Sequence, residues 1–261
     1  MSGFAATGDR SRLLLQSTLL SALGLLIGLL LWALLTALLS QGNPILAEFS
    51  PSSAFVGLRT SLAQGSLARH ISASLVRVAV GLALAVLIAI PLGLLLGLHR
   101  RLELTTSAVF QFVRMISPLS WMPIAVMVFG VGDLPVFFLL TIAAVWPILL
   151  TTTTAVRQVD PLFIQVARSF AAEPLEIVTR IILPAIRPSL LASMRVSVGL
   201  IWVVLVPAEM LGVSSGLGYL ILDCRDRLAY GELMGVLLVI GLIGWGLDGS
   251  LRQITSQHSS S

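Results

Sequence analysis

The sequence predicts an all-α integral membrane protein of about six transmembrane helices, on three observations. The 261 residues are 57% hydrophobic and 11% charged, whereas soluble domains carry about 25% charged residues. Mean hydropathy is +1.00. The apolar residues also fall in blocks of the roughly 20 residues a bilayer core requires. Short segments rich in arginine, proline and glycine separate these blocks.

Arg10 and Arg12 precede a charge-free block from Leu13 to Ser40. The block is too long for a signal-peptide core and no small-x-small cleavage site follows, so it reads as an uncleaved span within residues 18–40, preceded by a tail of residues 1–17. Residues 41–68 hold Asn43-Pro44 and Ser50-Pro51-Ser-Ser53, a turn-rich connection expected to carry an amphipathic helix. The second span is Ile71–Leu98, which Pro91 is free to kink. The third, Thr105–Gly130, is interrupted at Ser117-Pro118 and Pro123. Leu134–Val156, Pro188–Leu211 and Glu232–Gly249 complete the six. From Arg252 to Ser261 the chain turns polar, and this tail is expected to be disordered. There is no convincing internal repeat.

With the N-terminus in the cytoplasm, that side holds Arg10, Arg12, Arg100, Arg101, Arg157, Arg168, Arg180, Arg187 and Arg252. The opposite side holds Arg59, Arg69, Arg225 and Arg227, while Arg77, Arg114 and Arg195 fall within or at the edge of spans. Nine against four predicts both termini in the cytoplasm. The net charge of +4 therefore marks topology, and no nucleic-acid partner is expected.

The chain contains no lysine, which excludes a P-loop and a Schiff base. ATP, if used, is hydrolysed by another polypeptide. Cys224 is alone, and His70, His99 and His258 stand apart from any acid cluster, so no metal site and no catalytic residue is expected. Gly212-Val-Ser-Ser-Gly216-Leu-Gly218 has no preceding strand and no following lysine; it reads as a turn.

The segment from Asp160 to Pro184 does not suit lipid. It carries Arg168, Arg180 and three acids, yet Leu162, Val166 and Phe170 share one helical stripe and Phe163, Ala167 and Ala171 the next. Asp160-Pro161 reads as an N-cap with proline at the first helical position. Pro174 opens a second helix after an elbow. An amphipathic helix on the cytoplasmic side, with no lipid to bury its apolar face, points to docking on another protein.

These residues resemble the cytoplasmic signature of binding-protein-dependent ABC import permeases, in which Glu-Ala-Ala is followed at fixed spacing by Gly and then Ile-x-Leu-Pro. Ala167, Ile181, Leu183 and Pro184 match; Gln165, Val166 and Ala171 replace the glutamate, the first alanine and the glycine. A wider resemblance, from about Ser50 to Asp248, is to the nitrate/sulfonate/taurine/bicarbonate branch. It is carried by Ser117-Pro-Leu-Ser-Trp121-Met-Pro-Ile-Ala, Phe129-Gly-Val-Gly132, Val145-Trp-Pro147, Leu183-Pro-Ala-Ile-Arg-Pro188, Ala208-Glu-Met210, Asp226-Arg-Leu-Ala-Tyr230, Ile240-Gly-Leu-Ile-Gly244 and Leu247-Asp248.

The resemblance implies a type I importer permease core over residues 69–251 in a multi-pass inner-membrane protein. It implies no cofactor on this chain, with ATP and Mg on partner ATPase subunits. The further partners implied are a second permease subunit, a homodimer by default, and an external or periplasmic solute-binding protein that holds most of the specificity. The coupling segment, residues 160–184, would rest in a cleft of the ATPase. Phe163, Val166, Ala167, Phe170 and Ala171 would form its buried face and Arg168 and Glu173 the rim, with Gln165, Ile181, Leu183 and Pro184 completing the signature.

Ser117, Pro118, Ser120 and Trp121 are candidates to line the passage, because prolines free backbone carbonyls there. A packed structural kink explains the same residue types equally well, and the resemblance favours the passage. Arg195 either attracts the anion or snorkels or pairs. Glu209 either contributes to a gate or pairs with Arg77. A gradient-driven secondary transporter or channel is the alternative class; it would want midplane acids or histidines, which spans one, four and six lack.

Overall fold

The computed structural model describes residues 5–257, with side chains from Leu20 to Gln253 other than that of residue 22. Residues 1–4 of the expected N-terminal tail and 258–261 of the expected C-terminal tail lie outside the described residues. The elements are all helical: α1 (Ala5–Ser40), α2 (Pro51–Ala63), α3 (Ser66–Leu98), α4 (Arg100–Met115), α5 (Met122–Phe129), α6 (Asp133–Gln158), α7 (Pro161–Ser169), α8 (Pro174–Ile177), α9 (Leu183–Glu209), α10 (Leu217–Asp226) and α11 (Tyr230–Gln257). Tight 3-10 turns cover Pro44–Phe49 and Pro118–Trp121, and a π turn covers Val178–Ile182.

Among the described residues, five helical stretches are long and apolar enough to cross a membrane: Leu23–Ser40, Ser66–Leu98, Asp133–Gln158, Pro174–Glu209 and Tyr230–Gln253. The expected third span is broken at Ser117-Pro118, where the sequence has its interruption. Arg100–Met115 and Pro118–Phe129 pass the same test only as a pair, bent by 87°. Pro118 pushes the residue before it out of the α region, and both Ile116 (ψ 123°) and Ser117 (ψ 133°) are extended. α1 begins at Ala5, and α11 runs through Arg252 to Gln257 without a break. Neither stretch contains proline, and extending an existing helix adds a hydrogen bond for each residue fixed.

The chain divides into two compact units, residues 1–64 with 224–238, and residues 65–223 with 239–261. In the first, Trp32 donates its indole N–H to the Phe49 carbonyl at 2.9 Å. Asn43 and Ser50 cap the 3-10 turn and α2. Gly57 meets Gly231 backbone to backbone, and a Cβ on Gly57 would lie 2.3 Å from the Gly231 carbonyl. The first turns of α11 thus pack with α2 within this unit.

The second unit is built on α3, α6 and α9. Gly81, Ala85, Ala89, Gly93 and Gly97 repeat every four residues along α3 and face α6. A Cβ on Gly93 would lie 2.6 Å from the Thr152 Cβ, and one on Gly97 2.6 Å from the Val156 Cβ. Small residues let two backbones approach where lipid supplies no hydrophobic drive between helices. The core then fills with Leu139, Leu140, Ile148, Leu149, Ile201 and Leu205, all but sealed from solvent. Ser197 ties α9 to the Ala144 carbonyl at 3.2 Å. Trp202 lies against Gly244, and Arg195 pairs with Asp248 at 2.8 Å, which joins the later part of α11 to α9.

Candidate functional site

Two places on the second unit concentrate chemistry, one at each end of the α3–α6–α9 bundle. At the α7 end, Asp160 accepts the Leu162 N–H at 2.8 Å and Pro161 follows it, the N-cap that the sequence predicts. α7 ends in a Schellman motif: Ala172 N–H bonds the Ala167 carbonyl at 3.1 Å and Ala171 N–H the Arg168 carbonyl at 3.0 Å. Ala171 sits at the left-handed position of that motif, with φ 54°, a conformation glycine adopts without steric cost. This is the position where the importer signature has glycine.

α8 then starts at Pro174, with the Glu173 N–H bonded to the Glu176 carboxylate at 3.2 Å. Pro184 has no N–H to continue the helix ladder, and the Leu183 N–H instead reaches back to the Val178 carbonyl, producing the π turn. Leu183 and Ile181 are partly buried, Pro184 is exposed, and Ile182 between them is fully buried.

The structure sorts the predicted docking face. Phe170 is 82% exposed, Phe163 61% and Val166 48%, so an apolar row faces away from the bundle. Ala171, Gln165, Arg168 and Glu173 are exposed with it. Ala167 is the exception. With Ile164 and Ala172 it packs inward against Ile177, Ile182 and Ile186, because the 3.6-residue period turns positions 164 and 167 toward the bundle.

At the opposite end, Arg77 and Glu209 are 4% and 0% exposed and form an ion pair at 2.7 Å. Ser74 donates its hydroxyl to the Glu209 carboxylate, at 2.8 Å from Oε1, and the Gly218 N–H donates to Oε2 at 2.9 Å. Arg77 donates through Nε and Nη2 to Asp133 at 2.9 and 2.7 Å, and through Nη1 to the Ser215 carbonyl at 2.7 Å. The Leu217 N–H donates to the Ser74 hydroxyl at 2.9 Å, and the Gly216 N–H to His70 Nδ1 at 3.1 Å. Gly216 has φ 115°, and a Cβ there would lie 2.4 Å from Arg77 Nη1. The glycine turn is therefore a cradle for a buried charge pair.

Glu209 thus pairs with Arg77, as one of its two sequence readings had it. Arg195, for which anion attraction was one reading, is held by Asp248 in a two-point contact, Nε at 2.9 Å and Nη2 at 3.1 Å. Ser117 and Ser120 are exposed at the 87° bend, and Pro118 lines a cavity of about 330 Å³ with Trp146 and Pro147. Trp121 instead packs against the bundle core, and its buried Nε1 has no hydrogen-bond partner among the described residues. Sequence reasoning missed Ser74, Asp133 and the glycine-turn amides. Ser74 lies one helical turn from Arg77, but Asp133 and Ser215 come together with them only in three dimensions. Among the described residues no three His, Cys, Asp or Glu side chains gather as a metal-binding set.

The family of binding-protein-dependent transport system inner membrane components matches residues 89–248. The bicarbonate transport system permease protein CmpB of Synechococcus elongatus is 36% identical over 178 residues, 67% of this chain and 64% of that protein. The nitrate import permease protein NrtB of Leptolyngbya laminosa is 32% identical over 188 residues, 72% of this chain and 67% of that protein. This chain therefore spans about two thirds of the length of each. A solved inward-facing structure of the MetNI methionine ABC transporter aligns with a TM-score of 0.62 at 21% identity, over 73% of this chain and 95% of that one.

Proposed function

Since the chain belongs to the family of binding-protein-dependent transport system inner membrane components, we propose that it is the membrane-spanning subunit of an ABC importer for a small anion such as nitrate, bicarbonate, a sulfonate or taurine. The fold is that of a type I importer permease, and the chain is a multi-pass membrane protein. ATP, with Mg, is hydrolysed on separate cytoplasmic subunits, and a solute-binding protein delivers the anion from outside. A second copy of this permease completes the passage.

The observation that carries the proposal is the α7 face. A short helix between two spans exposes Phe163, Val166 and Phe170 in one row while Ile164 and Ala167 anchor its other side to the bundle. The N-cap and the Schellman motif hold it rigid at both ends. Such a face matches helix-in-groove docking with anchors at i, i+3 and i+7. Gln165, Arg168 and Glu173 edge it, and Ala171 sets the elbow. Residues 181–184 pass movement of α7 into α9, since Ile181, Leu183 and Pro184 join the two through the π turn. The Ser117–Pro118 bend and Ser120 border the passage beside α9, with Trp121 supporting the bend from behind.

Solute-stimulated ATPase of the assembled complex tests this reading. A Phe163→Asp/Phe170→Asp permease should still bind the solute-binding protein but lose most of the stimulation. Full stimulation in that variant would sink the proposal.

A further inference from the structure

The sequence places three arginines within or at the edge of spans, Arg77, Arg114 and Arg195, and the structure neutralises two of them. Arg77 is held by Glu209 and Asp133, and Arg195 by Asp248. Arg114, in the last turn of α4, has no ion pair and no hydrogen bond among the described residues. It lines the cavity of about 330 Å³ whose walls include Pro118, Ala143, Trp146, Pro147, Leu200 and Val203. It also lines a second cavity of about 220 Å³, where Ser107, Gln111, Thr153 and Thr154 supply polar groups along α4 and α6. The one acid there, Glu103, is paired with Arg157.

The depth of the site follows from α6. That helix runs from Asp133 to Gln158, and the cavity touches it from Ala143 to Leu150, about its middle. An uncompensated charge at mid-membrane is costly, and such charges mark ion and substrate pathways. Its neighbours are apolar on one side and hydroxyl and amide groups on the other, and the one acid there, Glu103, is already engaged by Arg157.

Resting on the reading of this chain as an anion-import permease, we infer that Arg114 is the point inside the membrane at which the anion is bound. The ligand class is a small monovalent oxyanion. A planar guanidinium offers two parallel N–H donors that fit two oxygens of nitrate, bicarbonate or a sulfonate. One guanidinium balances one negative charge. The apolar wall lowers the local dielectric on one side of the guanidinium, which strengthens that attraction. The second, hydroxyl-lined cavity then gives the ion a polar next step along α4 toward Glu103 and Arg157.

The test uses the whole complex, with its ATPase and solute-binding protein, in phosphatidylcholine vesicles, measuring uptake of ¹⁵N-nitrate and ¹⁴C-bicarbonate. Arg114→Gln should lower kcat/KM for uptake roughly tenfold to a hundredfold, the loss of one charge-assisted contact. Arg114→Lys, which keeps the charge but not the fork, should assemble and raise KM with kcat retained, and it decides the matter if the glutamine variant does not assemble. Wild-type uptake of either anion with no change in both variants would overturn the site while leaving anion import standing. A wild-type complex that carries only uncharged solutes would overturn both. A difference between Arg114 and its variants that arises only when phosphatidylglycerol is added would assign the guanidinium to a lipid headgroup and overturn the inference.

Discussion

Glu209 shows how one side chain can be costly and still be kept. Its carboxylate is fully buried and receives Arg77 Nη1, the Ser74 hydroxyl and the Gly218 N–H. Each donor offsets part of the desolvation of the charge, and Asp133 and Ser215 satisfy the rest of the guanidinium. Removing one member of such a pair leaves a buried charge unmatched, which typically costs about 3–5 kcal/mol. Glu209→Ala should therefore destabilise the purified protein by about that amount in denaturant unfolding. Arg77→Met combined with Glu209→Met should recover most of the loss, since buried pairs replaced by apolar residues are often neutral. Ala171 poses the opposite case. A non-glycine residue in the left-handed region costs about 1–2 kcal/mol, so Ala171→Gly should raise the thermal midpoint of the complex. An unchanged or lower midpoint would show that the elbow carries no such strain.

Among the elements, the α3–α6 contact depends on the absence of side chains. A substituent at Gly93 or Gly97 meets Thr152 or Val156 well inside contact distance. Gly93→Val should force α3 and α6 apart, costing about 1–3 kcal/mol for the overpacking, and lower the yield of folded protein on gel filtration. Gly199, which has open space around it, is the matched control and should tolerate alanine. The residues of the α3 seam are visible in the sequence as a four-residue repeat, but their partners on α6 are not. α7 was more legible: Asp160-Pro161, Pro174 and the apolar spacing specify both ends of the helix because capping and proline effects are local. Which of its stripes faces outward was not, since Ala167 and Ile164 are turned inward by packing on Ile177 and Ile182.

At the scale of the whole molecule, composition and span length were enough to place the chain in the membrane, and the absence of lysine is why the proposal puts ATP chemistry on another polypeptide. Purified alone, the chain should show no ATPase activity, and an ATPase should accompany it when it is isolated from its native membrane. A permease that retains hydrolysis after removal of every companion chain would contradict that division of labour. The third span shows how far local signals reach. Ser117, Pro118 and Pro123 signal an interruption, yet an 87° bend depends on what α4 and α5 pack against.

Local chemistry is what the sequence by itself determined: the apolar blocks, the caps of α7, the proline breaks and the elbow before Pro174, each arising within a few residues of chain. Hydrogen-bond closure, ring constraint and helical period act at that range and need no partner. Only the tertiary structure decided which charges are spent and which remain. Arg77 meets Glu209 across 132 residues and Arg195 meets Asp248 across 53, distances over which no periodicity informs. Arg114 is distinguished from both by what packing left beside it.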